Sequence, residues 1–261
     1  MILFETIAVA FAMFSAIPCP QPVWNQKNMR YTMCAFPLIG AVCGLLWWGW
    51  AALLQRVGGS PLLLAGGLCA IPVLVTGGIH LDGYADTSDA LASCAPLEKK
   101  REILQDPRCG AFAVIRLCTW FALYFALCGS VRWDSRAVWC MGLAFVLERC
   151  LSGFAIATFP LAKNTGLAHT FAAAADKKKV RCILAAASVL LAVLLVVTNG
   201  LAGIVMVLAA GWILWRYYRV SQIQFGGITG DLAGWFVQRA ELWMLAALAA
   251  AQLLEGMKWF S

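Results

Sequence analysis

The chain has 261 residues, of which 62% are hydrophobic and 13% charged, with a mean hydropathy of +0.79. Soluble domains carry about 25% charged residues, so these values exclude a secreted disulfide scaffold, a disordered chain and an ordinary cytosolic enzyme. The net charge of +7, from 20 Lys and Arg against 13 Asp and Glu, reads as the positive-inside bias of a membrane protein, and nucleic acid is not an expected partner.

Residues 1–17 are apolar but short, and Pro18, Pro20 and Pro22 follow them. Glu5 lies within this stretch and no basic segment precedes it, which disfavours a cleaved signal peptide and predicts a short interfacial or re-entrant helix, with an additional span as the alternative. A spanning helix needs about 20 mostly apolar residues. Residues 31–54 and 57–79 carry no charge and form the first two expected spans. The eleven cysteines are scattered singly with no Cys-x-x-Cys, so they read as small apolar packing residues rather than a redox or metal motif.

A polar run follows at once: Thr76-Gly77-Gly78-Ile79-His80-Leu81-Asp82-Gly83-Tyr84-Ala85-Asp86-Thr87-Ser88-Asp89. If it is helical, Asp82, Asp86 and Asp89 fall within about 60° of one another. Three carboxylates on one face repel, and no basic residue stands between them. A hard divalent cation relieves that repulsion, and carboxylate oxygens together with substrate phosphates suit Mg²⁺. A solvated acidic face or a helix N-terminus is the alternative reading, although a cap needs one acid in the first turn rather than three over two turns. His80 reads as a base, a ligand or a hydrogen-bonding residue at the span end.

Asp106 and Arg108 flank Pro107 just before the third span, 110–130, which only Arg116 interrupts. The Arg108 guanidinium offers a fork for phosphate oxygens. The fourth span, 136–160, carries Glu148 and Arg149. Arg149 is a basic candidate for a phosphate site, and pairing of Glu148 or Glu241 with an arginine accounts for it equally well. A polar loop at 163–170 and a charge cluster at 176–179 follow. Residues 182–215 are uncharged and long enough for two helices, joined near the turn dipeptide Asn199-Gly200. Phe225-Gly226-Gly227-Ile228-Thr229-Gly230-Asp231 then leads into a last span at 232–254, which holds Arg239 and Glu241. Glycine backbone at a helix N-terminus suits an anion, and Asp231 reads as a metal ligand or an N-cap.

The expectation is an all-α, polytopic membrane bundle of about seven spans, forming a single domain over 1–261. If Arg30 is cytoplasmic, thirteen basic residues share its side, while Arg56, Arg132, Arg136 and Lys258 lie opposite. That asymmetry places every polar motif on the cytoplasmic side.

At these motifs the chain resembles the cobalamin synthase family, through residues 17–24, 36–40, 76–91, 103–110, 166–167 and 226–234. The Gly-Gly-x-His-Leu-Asp-Gly-x-Ala-Asp-Thr run is its most specific part. The resemblance implies a Mg²⁺-dependent phosphotransferase of the bacterial inner membrane, acting late in coenzyme B12 synthesis. Its expected substrates are adenosylcobinamide-GDP and α-ribazole or α-ribazole 5′-phosphate, with GMP released. Asp82, Asp86 and Asp89 would hold the metal, completed by Asp106 or Asp231. Arg108, Arg149 and the 226–230 loop, with Gly227, Thr229 and Gly230, would contact phosphate, and Asp82, Asp86 and His80 would carry catalysis. Membrane lipid is the surrounding partner, and homo-oligomer formation is left open. The rival classes are a CDP-alcohol-type phosphotransferase and a secondary transporter.

Overall fold

A computed structural model describes residues 2–257, so Lys258 lies outside the described residues. Thirteen helices follow one another among them: α1 (Ile2–Phe14), α2 (Gln26–Met29), α3 (Thr32–Ala35), α4 (Pro37–Val57), α5 (Pro61–Thr76), α6 (Ile79–Ala92), α7 (Leu97–Ile103), α8 (Ala111–Ser130), α9 (Ser135–Thr158), α10 (Gly166–Ala174), α11 (Lys177–Asn199), α12 (Leu201–Phe225) and α13 (Gly230–Met257). Five helices are long and apolar enough to cross a membrane: the continuous α3–α4 pair, α8, α9, α11 and α12. The bent α5–α6 pair is a sixth if counted as one, and the last expected span, 232–254, lies within the 28 residues of α13. At 13 residues, α1 is about 20 Å long and too short to cross.

The tightest packing joins α4 to α9. Gly44 lies against Gly142, where an added Cβ would come within 2.8 Å of the Gly142 Cα. Such small-residue contacts let helix backbones approach in lipid, where apolar side chains gain nothing by leaving the solvent. Trp47 is fully buried, its ring 5.1 Å edge-on from both Trp133 and Phe145, and its indole N–H donates to the Leu68 carbonyl at 2.8 Å. Facing the bilayer, α11 exposes Val189, Leu190, Val193 and Val197, as a lipid-solvated helix should.

The second expected span, 57–79, is not one straight helix. It ends at Thr76, and the chain turns by 93° before α6 begins. Gly77 and Gly78 make the turn with φ of 65° and 82°, a left-handed pair that glycine adopts without a Cβ penalty. Thus α6 starts where α5 stops, and its far end delivers Asp89 to the first turn of α8, where the Ala113 N–H donates to the carboxylate at 3.3 Å. The end of α5 and the start of α8 share one side of the bundle, so α6 lies across that end instead of passing through it.

The other polar loops meet at the same end. Arg30 pairs with Asp176 at 2.8 Å, Ala16 N–H donates to Val75, Arg101 Nε donates to the Phe225 carbonyl, and Ile228 N–H donates to Pro160. The polar loops singled out in the sequence therefore gather at one end of the bundle.

Candidate active site

Between His80 and Ala90, only Asp82, Asp86 and Asp89 escape burial. The acidic face of α6 is thus its most exposed face, while Gly83 and the small residues around it are packed away. Gly83 shows why α6 and α13 approach so closely: a Cβ there would lie 2.6 Å from the Asp231 carbonyl oxygen and 2.8 Å from its Cα. Gly234 repeats the contact from α13, against the His80 backbone. The crossing brings Asp231 beside Asp82. Because the obstructing atoms are backbone, Gly83→Val is expected to cost about 1–3 kcal/mol and to lower the melting temperature in detergent. An unchanged melting curve would show that the crossing is loose.

The charges confirm the clustering. The Asp86 carboxyl is pushed up to about 6, first by burial and then by repulsion from Asp82, Asp231 and Asp89. Among the described residues no Lys or Arg forms an ion pair with Asp82, Asp86 or Asp231. No three His, Cys, Asp or Glu side chains there close around one point as a complete metal cage. The group still fits a Mg²⁺ ion, which keeps waters and substrate phosphates in its shell and needs only one or two carboxylates.

Two cavities meet at Asp82. One, of about 520 Å³, is lined by Gly78, Asp82, Asp86, Pro107 and Arg108, so it faces carboxylates with a guanidinium. The other, of about 280 Å³, is mainly apolar, with Phe14, Phe36 and Phe171 beside His80, Asp82, Gly230 and Asp231. His80 is buried, with Nδ1 unpartnered. Burial, reinforced by the Arg149 charge, lowers its pKa to about 3, so the imidazole is neutral.

The remaining expected residues occupy distinct places. Asp89 satisfies the N-terminus of α8 and lies against Gly110. Asp106 is engaged by Arg108, whose Nη2 and Nε donate to its two oxygens at 2.7 and 2.9 Å. These bonds hold the Asp106 carboxyl down at about 2 and leave the other Arg108 donors open to a further anion. Gly227, at φ 144°, packs against the Leu161–Ala162 backbone, and the Thr229 hydroxyl accepts the Leu232 N–H as an N-cap. Of that loop, Gly230 is exposed at the mouth of α13. Arg149 stands apart from the open site: it is wholly buried and ion-paired with Glu148 at 2.6 Å, because its long side chain turns into the bundle rather than toward the loops.

One contributor carried only a weak signal in the sequence. The 163–170 loop joins Gly230 and Asp231 around a cavity of about 220 Å³, which includes Lys163 and His169. Its polarity after Pro160 and the resemblance at residues 166–167 were the signs in the sequence. Lys100 and Arg101, which charge bias alone would explain, tie α7 to the end of α12 through Gln224 and Phe225.

A family model for cobalamin-5-phosphate synthase matches residues 6–249. The adenosylcobinamide-GDP ribazoletransferase of Lachnoclostridium phytofermentans is 38% identical over 248 residues, covering 95% of this chain and 94% of its own. Proteins of the same description from Clostridium perfringens and a Geobacillus species are 29% and 30% identical. They cover 90% and 85% of this chain, and 94% and 86% of their own. No solved structure gives a significant match.

Proposed function

Since the chain belongs to the cobalamin-5-phosphate synthase family, we propose that it is an adenosylcobinamide-GDP ribazoletransferase. In this reaction the α-ribazole hydroxyl, or that of its 5′-phosphate, attacks the cobinamide-linked phosphorus of the pyrophosphate. A new P–O bond forms, the bond to the GMP phosphate breaks, and the hydroxyl proton passes to a base. The observation that carries the proposal is the meeting of a carboxylate-and-arginine cavity with an apolar one at Asp82. A substrate pairing a pyrophosphate with a large organic body needs both surfaces in contact.

Asp82, Asp86 and Asp231 are the residues that would hold Mg²⁺. When bound, such an ion offsets the charge of the pyrophosphate and of the departing phosphate. Arg108, steadied by Asp106, supplies fixed donors to phosphate oxygens from across the cavity. Neutral His80 is too weakly basic to take a proton outright, so proton acceptance falls to the carboxylates, and its buried ring packs beside Phe36 in the wall of the apolar cavity. The apolar wall of Phe14, Phe36 and Phe171 excludes water, which favours transfer over hydrolysis. Arg108→Ala is expected to raise the KM for adenosylcobinamide-GDP about tenfold or more, with kcat changed less. A purely structural role would leave KM where it is.

The charge asymmetry supports placing the site at the cytoplasmic face of the inner membrane. A transporter would hold its substrate near the midplane in broken helices, whereas these aspartates lie at the loop-rich end. The decisive assay measures GMP release from adenosylcobinamide-GDP with Mg²⁺, with and without α-ribazole. Release that requires α-ribazole is the expected result, and release without it would make the protein a hydrolase.

A further inference from the structure

A cavity of about 760 Å³ lies behind α6 and includes Tyr84, Ser88 and Leu91 in its wall. At 100° per residue, these side chains project about 100–180° away from Asp82, Asp86 and Asp89. The rest of the wall brings Lys100 from α7, Arg116 from α8, Arg216 and Arg219 from α12, and Arg239 from α13, with no carboxylate among the lining residues. Among the described residues none of these five cations has an acidic partner within 4.0 Å. Lys100 donates to the neutral Gln224. Arg239 keeps a buried, unpartnered Nε and lies 5.0 Å over the Trp235 ring. Five clustered positive charges repel one another unless an anion joins them.

The position of the cavity says which anion. Arg116 shares its face of α8 with Phe112, an exposed apolar side chain one turn earlier, so that face meets lipid. Trp215, 55% exposed, stands beside Arg216, in the manner of aromatic residues at the bilayer interface. The cavity therefore runs from the loop-rich end, where Lys100 and Gln224 line it, to about two and a half turns along α12 and α13 at Arg216 and Arg239, with Arg116 and Trp215 on its lipid side. A pyrophosphate bound here would be separated from Asp82 by the thickness of α6, about 10 Å with side chains, and so would be out of reach of the reaction. We propose that this cavity binds a phosphate-bearing anion, and that its occupant is the headgroup of an acidic phospholipid.

The test uses the full chain in nanodiscs of phosphatidylcholine alone or with phosphatidylglycerol, and reads the melting temperature. Phosphatidylglycerol is expected to raise it by about 4 °C, while inorganic pyrophosphate added to phosphatidylcholine discs leaves it unchanged. Arg216→Gln/Arg219→Gln, two exposed positions whose loss should not impair folding, should remove most of the rise. Native mass spectrometry of the unaltered protein gives a readout independent of the variant, with phosphatidylglycerol retained in preference to phosphatidylcholine. Stabilisation by pyrophosphate in place of phosphatidylglycerol would overturn the lipid assignment in favour of a soluble phosphate. Equal behaviour in both lipids, or an undiminished response of the double variant, would overturn the site itself.

Discussion

Asp82→Asn is expected to lower the rate of GMP release by about 10³-fold while the protein still inserts and melts normally. Asparagine keeps the size and shape of the side chain and removes its negative charge. Among the described residues the Asp82 carboxylate is not an acceptor in any hydrogen bond or ion pair, and the residue is exposed, so folding does not depend on it. It is also the one aspartate that borders both the arginine-lined and the apolar cavity. Asp89→Asn supplies the contrast. Its carboxylate caps α8, and an amide oxygen can still accept that bond, so activity should fall about tenfold or less. Both rates are to be followed across a Mg²⁺ titration, because loss of a ligand raises the concentration required whereas loss of a cap does not. Near-normal turnover by Asp82→Asn would remove the metal assignment.

What the sequence disclosed depended on whether the information was local. Spans, turns and the acidic face of α6 follow from hydropathy and helical period, and they reappear nearly in register: 136–160 was expected and α9 runs Ser135–Thr158. The 93° turn was written in Gly77-Gly78, but uninterrupted apolarity across 57–79 concealed it, since hydropathy registers solvent and not direction. Side-chain partners were not legible. Whether Asp89 serves a cation or a helix end depends on where residue 113 arrives, and whether Asp106 is free depends on a rotamer of Arg108 two residues away. The five-cation cavity was equally hidden, because Lys100, Arg116, Arg216, Arg219 and Arg239 come from four helices and each is unremarkable in its own segment.

Arg149 is where burial decides between the two expected readings, a phosphate contact and pairing with a glutamate, in favour of the pair, and Arg149→Met should therefore damage the fold far more than the chemistry. Glu148, Arg149 and Glu241 are each 0% exposed. Arg149 Nη1 donates to Glu148 at 2.6 Å and to the Phe145 carbonyl at 2.9 Å, and Nη2 reaches Cys43 at 3.8 Å. Both Glu241 oxygens and the second Glu148 oxygen have no hydrogen-bond partner, so one guanidinium offsets two carboxyl groups in a medium without water. Removing it leaves them uncompensated, a loss of about 3–5 kcal/mol. Arg149→Met should fall out of detergent solution or melt well below the parent, and adding Glu148→Gln should restore part of the stability by removing one of the stranded charges. The fraction that folds should retain its KM for adenosylcobinamide-GDP, because no phosphate reaches this residue. A variant that melts normally but has a strongly raised KM would return Arg149 to the substrate site and require the bundle to open between Phe36 and His80.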